Sequence, residues 1–421
     1  MKILLSSIAC DPFGGSEGIY GWYVVSALAK SHQCSVITHE CFRENLVKAA
    51  SMGLVPDSLS FRYLGDAIPC HPNRLVARIQ SWVNYQKFSR NILTKAREWH
   101  EEIVFDLAQH VTYTTWRVAS PLWKLGIPFI WGPISGTEIF PSSCRGSLSF
   151  QARCFEILRS IQTWFATRNH AVGKCLRNAC VIPVPHKQAY EFLSNLRGTD
   201  HGVEVCHNFF FPYSRMESLN TERPAVVVER RLRAFGAGNL EGRKGIAIAL
   251  MAIAIAKERG VRVEYRVTSL GPELSHLNKL ANKLGLADQV VLGERFESSE
   301  FAKALGTFDI CLVPSLRDGA GLSIMEAMLA GCVPIVADWC GPAEFVTEEC
   351  GYKVAVTDPK RMAEEIAGIL CHLDKNREEM RQLGVAARNR IRTAYSEEQF
   401  LQSMNRIYKE ALDHCDTSDN G

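Results

Sequence analysis

The residues most able to do chemistry stand in one run, Pro314-Ser315-Leu316-Arg317-Asp318-Gly319-Ala320-Gly321-Leu322-Ser323-Ile324-Met325-Glu326. The apolar stretch before it reads as a strand ending at Pro314, and a helix begins near Leu322. Open parallel sheets bind ligands beyond the carboxyl ends of their strands. Backbone N–H groups of Gly321, Leu322 and Ser323 would then point at a phosphate, helped by the helix dipole. Gly319 and Gly321 let the backbone come close to a ligand. Asp318 and Glu326 would repel a diphosphate, so they are expected to accept hydrogen bonds from hydroxyl groups on either side of it. A ligand carrying a sugar at each end of a diphosphate fits that pattern. The simpler alternative makes Asp318 a turn residue and Glu326 a solvated helix residue.

A second run is Gly236-Ala237-Gly238-Asn239-Leu240-Glu241-Gly242-Arg243-Lys244-Gly245, between a strand and a helix. Arg243 and Lys244 put two positive charges near a helix N-terminus, where the dipole disfavours each by roughly 0.3–1 kcal/mol. A bound anion would offset that; two solvated charges at a loop tip are the alternative. The run also holds G-x-G-x-x-x-G, one residue longer than a dinucleotide fingerprint. An oxidoreductase of that kind needs an acidic residue ending the next strand, whereas Val263–Ser269 ends in Thr268-Ser269. A third run, Gly14-Gly15-Ser16-Glu17-Gly18, follows the first apolar stretch and reads as a close backbone approach or simply a tight turn.

These runs need elements to position them. Lys2–Ile8, a glycine-rich loop, a helical stretch Ile19–Lys30 and Cys34–Thr38 form a βαβ unit and predict a parallel sheet. Ile127–Trp131 and Cys180–Pro183 read as later strands of that sheet. The second half repeats the scheme: Leu232–Gly238, a helix Gly245–Arg259, then strands Val263–Ser269, Gln289–Gly293, Ile310–Pro314, Pro334–Ala337 and Tyr352–Val356. The expected organisation is a first Rossmann-like domain at 1–205, a linker at 206–228 and a second Rossmann-like domain at 229–395. A C-terminal segment, 396–421, would hold a helix returning to the first domain, and a tail. In it Phe400, Met404, Ile407 and Leu412 recur at helical spacing.

At 421 residues, 47% hydrophobic and 22% charged, the chain has the composition of a two-domain globular protein. The 15 cysteines are scattered without a C-x-x-C pair, so reduced thiols are expected and neither a disulfide framework nor a metal site. Met1–Leu5 reads as a first strand rather than a leader, which places the chain in the cytoplasm. Residues 1–205 hold 21 basic and 15 acidic residues, while 206–421 hold 27 and 30. That excess is too small for nucleic-acid binding. The first half does carry Arg74, Arg78, Lys87, Arg90 and Lys95 interspersed with Ile79, Trp82, Val83, Tyr85, Phe88 and Ile92. It also carries six basic residues against Glu156 alone between Arg145 and Arg177. Such stretches can lie on an anionic membrane, or they can be surface helices whose apolar side packs on their own sheet.

Together these runs resemble the family-4 retaining glycosyltransferases of the GT-B fold, two doubly wound α/β domains facing each other across a cleft. The likeness rests on Gly14-Gly15 after the first strand, on Gly238-Asn239-Leu240 with Lys244-Gly245, on Asp318 and Glu326, and on Gly341-Pro342-Ala343-Glu344. It implies transfer of a sugar from a nucleotide diphosphate sugar to a hydroxyl acceptor, a saccharide or lipid-linked saccharide, with retention and without a metal ion. Peripheral contact with an anionic membrane at its inner face would fit such an acceptor. Lys244 would hold the donor diphosphate, Asp318 the donor sugar and Glu326 the ribose. Gly15 would meet the diphosphate from the first domain, and His110, in Asp106–Thr112, would lie near the transferred sugar. Asn239 stands where the family usually has arginine, which leaves Arg243 as the substitute cation. Asp318 replaces a usual glutamate, and Ala320 a common aromatic. A non-catalytic binding relative is the alternative that these departures leave open.

Overall fold

The computed structural model describes residues 1–66, 74–206, 209–219, 231–294 and 298–418, and its contacts divide the chain into two units. The first comprises Met1–Thr137, Thr163–Phe210 and Glu397–Gly421; the second comprises Glu138–Gln162 and Phe211–Ser396. Residues 138–162, which the sequence pattern assigns to the first domain, thus group with the second unit. The expected linker at 206–228 lies partly outside the described residues.

In the first unit the elements alternate as β1 (Lys2–Ser7), α1 (Ser16–Leu28), β2 (Gln33–His39), α2 (Arg43–Ser51), β3 (Leu59–Leu64), α3 (Arg74–Glu102), β4 (Leu107–Thr112) and β5 (Phe129–Trp131). A helix, α4 (Phe150–Thr167), crosses the division between units. It is followed by α5 (His170–Asn178), β6 (Ile182–Val184), α6 (Lys187–Arg197) and β7 (Val203–Val205). The sheet is parallel in the order β3-β2-β1-β4-β5. β6 pairs with β7, and its start is tied to β5 by a bridge between Ile130 and Val181 and by hydrogen bonds from Cys180 N to the Phe129 carbonyl at 2.8 Å and from Trp131 N to the Val181 carbonyl at 3.0 Å.

Both faces of this sheet are buried, which accounts for strands that read as continuous apolar runs. Leu4 and Ala108 face one core, while Ile3, Leu5 and Leu107 face the other. The last helix, numbered α15 below (Glu397–Ser418), lays Phe400, Met404, Ile407 and Tyr408 into the second of these cores. In α3, Tyr85, Phe88, Ile92, Ala96 and Trp99 recur at helical spacing and are buried against the first core. The apolar stripe of α3 from Tyr85 to Trp99 therefore packs on its own sheet, the second of the two readings open to it. The side chains of Arg74, Arg78, Ile79 and Trp82 lie outside the described residues.

The second unit adds α7 (Tyr213–Ser218), β8 (Leu232–Gly236), α8 (Ile246–Glu258), β9 (Val263–Val267), α9 (Leu274–Lys283), β10 (Val290–Leu292) and α10 (Ser298–Leu305). It continues with β11 (Ile310–Val313), α11 (Leu322–Leu329), β12 (Val333–Ala337), α12 (Cys340–Phe345), β13 (Tyr352–Val354), α13 (Pro359–Lys375) and α14 (Arg377–Ala394). Its sheet is parallel in the order β10-β9-β8-β11-β12-β13. Strand order reverses between β8 and β11. The loops after these two strands therefore meet, and such a switch point is where open α/β sheets bind ligands. Phe140, Cys144 and Leu148 are built into this unit's core, and Ser149 Oγ donates to Glu273 Oε1 at 2.6 Å.

Candidate active site

Lys244 follows β8 and Asp318 follows β11, so the switch point brings them together. Gly242–Lys244 form a single 3-10 turn rather than the first turn of α8. Gly245 closes that turn at φ +70°, and a Cβ there would stand 2.0 Å from the carbonyl oxygen of Pro314. Only glycine admits both the conformation and this approach. Lys244 Nζ donates to Asp318 Oδ2, and Arg243 Nη1 lies 3.8 Å from Asp318 Oδ1. Both members of the Lys244–Asp318 pair are buried. Burial pushes the Asp318 carboxyl up, but Lys244 and then Arg243 outweigh it and hold it below the usual carboxylate range. Arg243 also donates to Glu241 Oε2 at 2.6 Å and to the carbonyl of Arg317 at 3.0 Å. The charges at 243 and 244 are thus met by carboxylates of the same unit, an arrangement that a helix-dipole argument does not foresee.

α11 begins at Leu322 behind Gly321, which takes φ +70°. By helix geometry the N–H groups of Leu322 and Ser323 have no acceptor within the helix, and they point toward the Gly319-Ala320-Gly321 loop. Gly341 N donates to the Asp318 carbonyl at 2.9 Å, and a Cβ on Gly341 would come within 2.3 Å of the Gly319 carbonyl oxygen. That contact seats the loop on α12. Glu326, one turn into α11, receives Arg215 Nε at 3.2 Å and Nη2 at 2.5 Å, both on Oε1. Arg215 comes from α7 and carries no signal of this role in the sequence. Asn239 is exposed and accepts from Ser269 Oγ at 2.9 Å, at the ends of β8 and β9.

Three further residues of this site belong to the segment 138–162, and the sequence pattern does not bring them to it. Glu156 Oε1 accepts from Arg317 Nη2 at 2.9 Å, and Glu138 Oε2 lies 3.6 Å from Arg159 Nη2. Burial lowers the Arg159 guanidinium to about 10, with Arg317 adding to the effect. Four cations (Arg159, Arg243, Lys244, Arg317) thereby stand among four carboxylates (Glu138, Glu156, Glu241, Asp318). The one hint of this in the sequence is Glu156 as the lone acid in a basic stretch. Among the described residues no group of His, Cys, Asp and Glu is arranged to hold a metal ion.

Gly15 and His110 lie in the first unit, at its own switch point between β1 and β4. Gly15 precedes α1, and a Cβ there would meet nothing within 4 Å. Glu17 Oε1 accepts from Tyr113 N at 3.0 Å, tying this loop to the end of β4. His110 is buried, with Nε2 3.3 Å from the Tyr113 carbonyl oxygen and no partner at Nδ1. Burial lowers its imidazole to about 4, so the ring is neutral at neutral pH. The carbonyl takes the Nε2 proton, which leaves Nδ1 as an acceptor.

Residues 221–390 match the model of the family described as glycosyl transferases group 1. The MMP alpha-(1->4)-mannosyltransferase of Mycolicibacterium hassiacum is 29% identical over 170 residues, covering 40% of this chain and 40% of that protein. The amylovoran biosynthesis glycosyltransferase AmsK of Erwinia amylovora is 26% identical over 172 residues, covering 39% of this chain and 42% of that protein. The chain thus spans about two fifths of the length of these curated relatives. Anabaena Alr3699/HepE in complex with UDP superposes with a TM-score of 0.64 at 14% identity, covering 96% of this chain and 99% of that one. The fold is GT-B, and the segment 221–390 is similar to the domain of the group 1 glycosyl transferases.

Proposed function

We propose that this chain is a retaining glycosyltransferase of the family-4 type. It moves a hexosyl group from a nucleotide diphosphate sugar to a hydroxyl of a saccharide or lipid-linked saccharide, in polysaccharide or glycoconjugate synthesis. The observation that carries this reading is the Lys244–Asp318 pair at the switch point, beside the start of α11. An incoming diphosphate competes with Asp318 for Lys244 and takes the N–H groups of Leu322 and Ser323. Asp318, released, accepts from hydroxyls of the donor sugar, while Glu326 Oε2 accepts from the ribose. The bond from the anomeric carbon to the diphosphate breaks as the acceptor oxygen bonds to the same face. The acceptor's proton passes to the departing diphosphate oxygen. The protein's part is position and charge stabilisation. His110, buried and neutral, is assigned a hydrogen bond to the substrate through Nδ1 rather than proton transfer. A thermal-shift panel of nucleotide sugars, followed by turnover assays on those that bind, tests the reading. Binding without turnover would mark a non-catalytic relative, and no binding at all would end the proposal.

A second observation favours an acceptor held at a lipid surface. Along α4, Phe150, Ile157, Leu158, Ile161, Trp164 and Phe165 recur at helical spacing, and all are exposed. Phe150 is 84% exposed and Phe165 63%. Arg145, Arg153, Arg168, Lys174 and Arg177 are exposed, while Glu156, the one acid between 139 and 190, pairs with Arg317. An exposed apolar helix face in a stretch of sequence rich in exposed basic residues suits an anionic bilayer surface. No helix among the described residues is long and apolar enough to cross a membrane. Flotation with phosphatidylglycerol vesicles tests this, with loss of binding expected for Leu158→Ser with Phe165→Ser. Failure of the parent chain to float at low salt would refute it.

A further inference from the structure

The first unit holds a pocket of about 420 Å³ that the donor chemistry does not use. It opens between the inner side of α3, the loop after β4 and the start of α5. Arg117, Lys124, His170 and Lys174 line it, and among the described residues no carboxylate does. Arg117 is set by a hydrogen bond from Nη2 to Thr163 Oγ1 at 2.8 Å and by its place over the Trp116 ring, 5.2 Å from the centroid. Lys124 Nζ lies over the Trp123 ring, 5.5 Å from its centroid. The pocket therefore combines three permanent cations with the positive end of the α5 dipole. Its rim is apolar. Trp123 lines it, and Trp164 and Phe165 stand exposed just before the lining residues Asn169 and His170.

We propose that this pocket binds the phosphate or diphosphate group of the acceptor. Cations around a concave volume whose described lining holds no acid select a compact polyanion, with the exposed ammonium groups of Lys124 and Lys174 to meet phosphate oxygens. The acceptor is accordingly a phosphorylated saccharide whose sugar hydroxyl reacts while its phosphate is held here. This rests on the glycosyltransferase reading, because it names the acceptor of that reaction. The same phosphate chemistry has two sources, a lipid-linked diphosphate or a soluble sugar phosphate, and the aromatic rim is where a lipid chain would lie.

Calorimetric titration of the full chain with farnesyl diphosphate and with inorganic pyrophosphate tests the pocket. Lys124→Glu with Lys174→Glu, both at exposed positions, should weaken both probes about tenfold or more. The milder Lys124→Gln with Lys174→Gln should weaken them less and guards against a folding defect. Lys244→Ala combined with Asp318→Asn separates this site from the donor site, since it should leave the farnesyl diphosphate affinity unchanged. Farnesyl diphosphate binding tighter than pyrophosphate assigns a lipid-linked source, and equal affinity assigns a soluble one. Parent-like affinity of the Lys124/Lys174 variants for both probes would overturn the proposal. Lack of nucleotide-sugar binding by the parent would instead overturn the glycosyltransferase reading, and leaves the pocket titration to stand or fall separately.

Discussion

Replacing Asp318 by asparagine should strengthen the binding of a nucleoside diphosphate while it slows sugar transfer. Lys244 and Asp318 have side-chain exposures of 9% and 11%, so their contact is shielded from water. A diphosphate that engages Lys244 must displace this carboxylate. A charge-assisted hydrogen bond of this kind is worth about 1.5–3 kcal/mol. The asparagine side chain would still offer a neutral acceptor, so only part of that competition disappears. Relief of about 1 kcal/mol corresponds to roughly fivefold tighter binding. Turnover should fall, because the donor sugar loses a charged acceptor for its hydroxyls. Calorimetry with the nucleoside diphosphate that gives the largest shift in a UDP, GDP and ADP panel measures the first effect. Steady-state transfer from the matching sugar nucleotide measures the second. The opposite change, Lys244→Ala, leaves buried Asp318 with Arg243 as its remaining cation and should destabilise the unit by less than the roughly 3–5 kcal/mol of a wholly unpaired buried charge. Lys244→Ala with Asp318→Asn avoids that defect and is the better probe of the phosphate contact. Unchanged or weaker nucleotide affinity in Asp318→Asn would refute the idea that the two compete for Lys244.

Three further outcomes are expected. Arg215→Ala should raise KM for the donor several-fold with little change in kcat, because Arg215 fixes Glu326 through Oε1 alone; Arg215→Lys should recover part of the loss, and pyrophosphate affinity should not move. Gly245→Ala should lower stability by at least about 2 kcal/mol in a urea titration, since it combines a left-handed backbone with a clash against the Pro314 carbonyl. His110 titrates near 4 when folded and near 6.5 when unfolded, so its contribution to stability is present above about 6.5 and is lost as pH falls toward 4. Between pH 7 and pH 5 the parent should lose about 2 kcal/mol more than His110→Gln, measured by denaturant midpoints at each pH.

The second sheet was readable almost strand by strand. Its central strands β11 and β12 are buried on both faces, so they appear as short apolar runs bounded by glycine-bearing loops. The start of α11 fell at Leu322 as expected, because Gly321 and the apolar period mark it together. Partners of the site were much less readable. Arg215 lies 111 residues before Glu326, and no local pattern ties them. Glu138, Glu156 and Arg159 look like parts of the N-terminal half, since nothing in composition says that 138–162 packs on the other unit. The same limit left two readings open for α3. A stripe of aromatics and basic residues has one period whether it faces a sheet or a membrane. Only burial separates α3, with Tyr85, Phe88 and Ile92 inside, from α4, with Phe150, Ile157 and Phe165 outside.

On the proposed reading, the charge balance around Asp318 lets one chain hold four buried or half-buried ion pairs and still admit an anion. Arg317–Glu156 joins the loop after β11 to the segment 138–162, Arg159–Glu138 lies within that segment, and neither pair involves Lys244. They can persist while a diphosphate enters, so the loop keeps its place and the cost of desolvating those ions is met once, on folding. Lys244–Asp318 is different, because its two members are assigned to different parts of one ligand. Separating them costs one contact and supplies two, a cation to phosphate and a carboxylate to sugar hydroxyls. A nucleoside diphosphate without its sugar gains only the first. The pair therefore makes the complete donor a better competitor than the product that remains after transfer, which favours release of that product once the sugar has left.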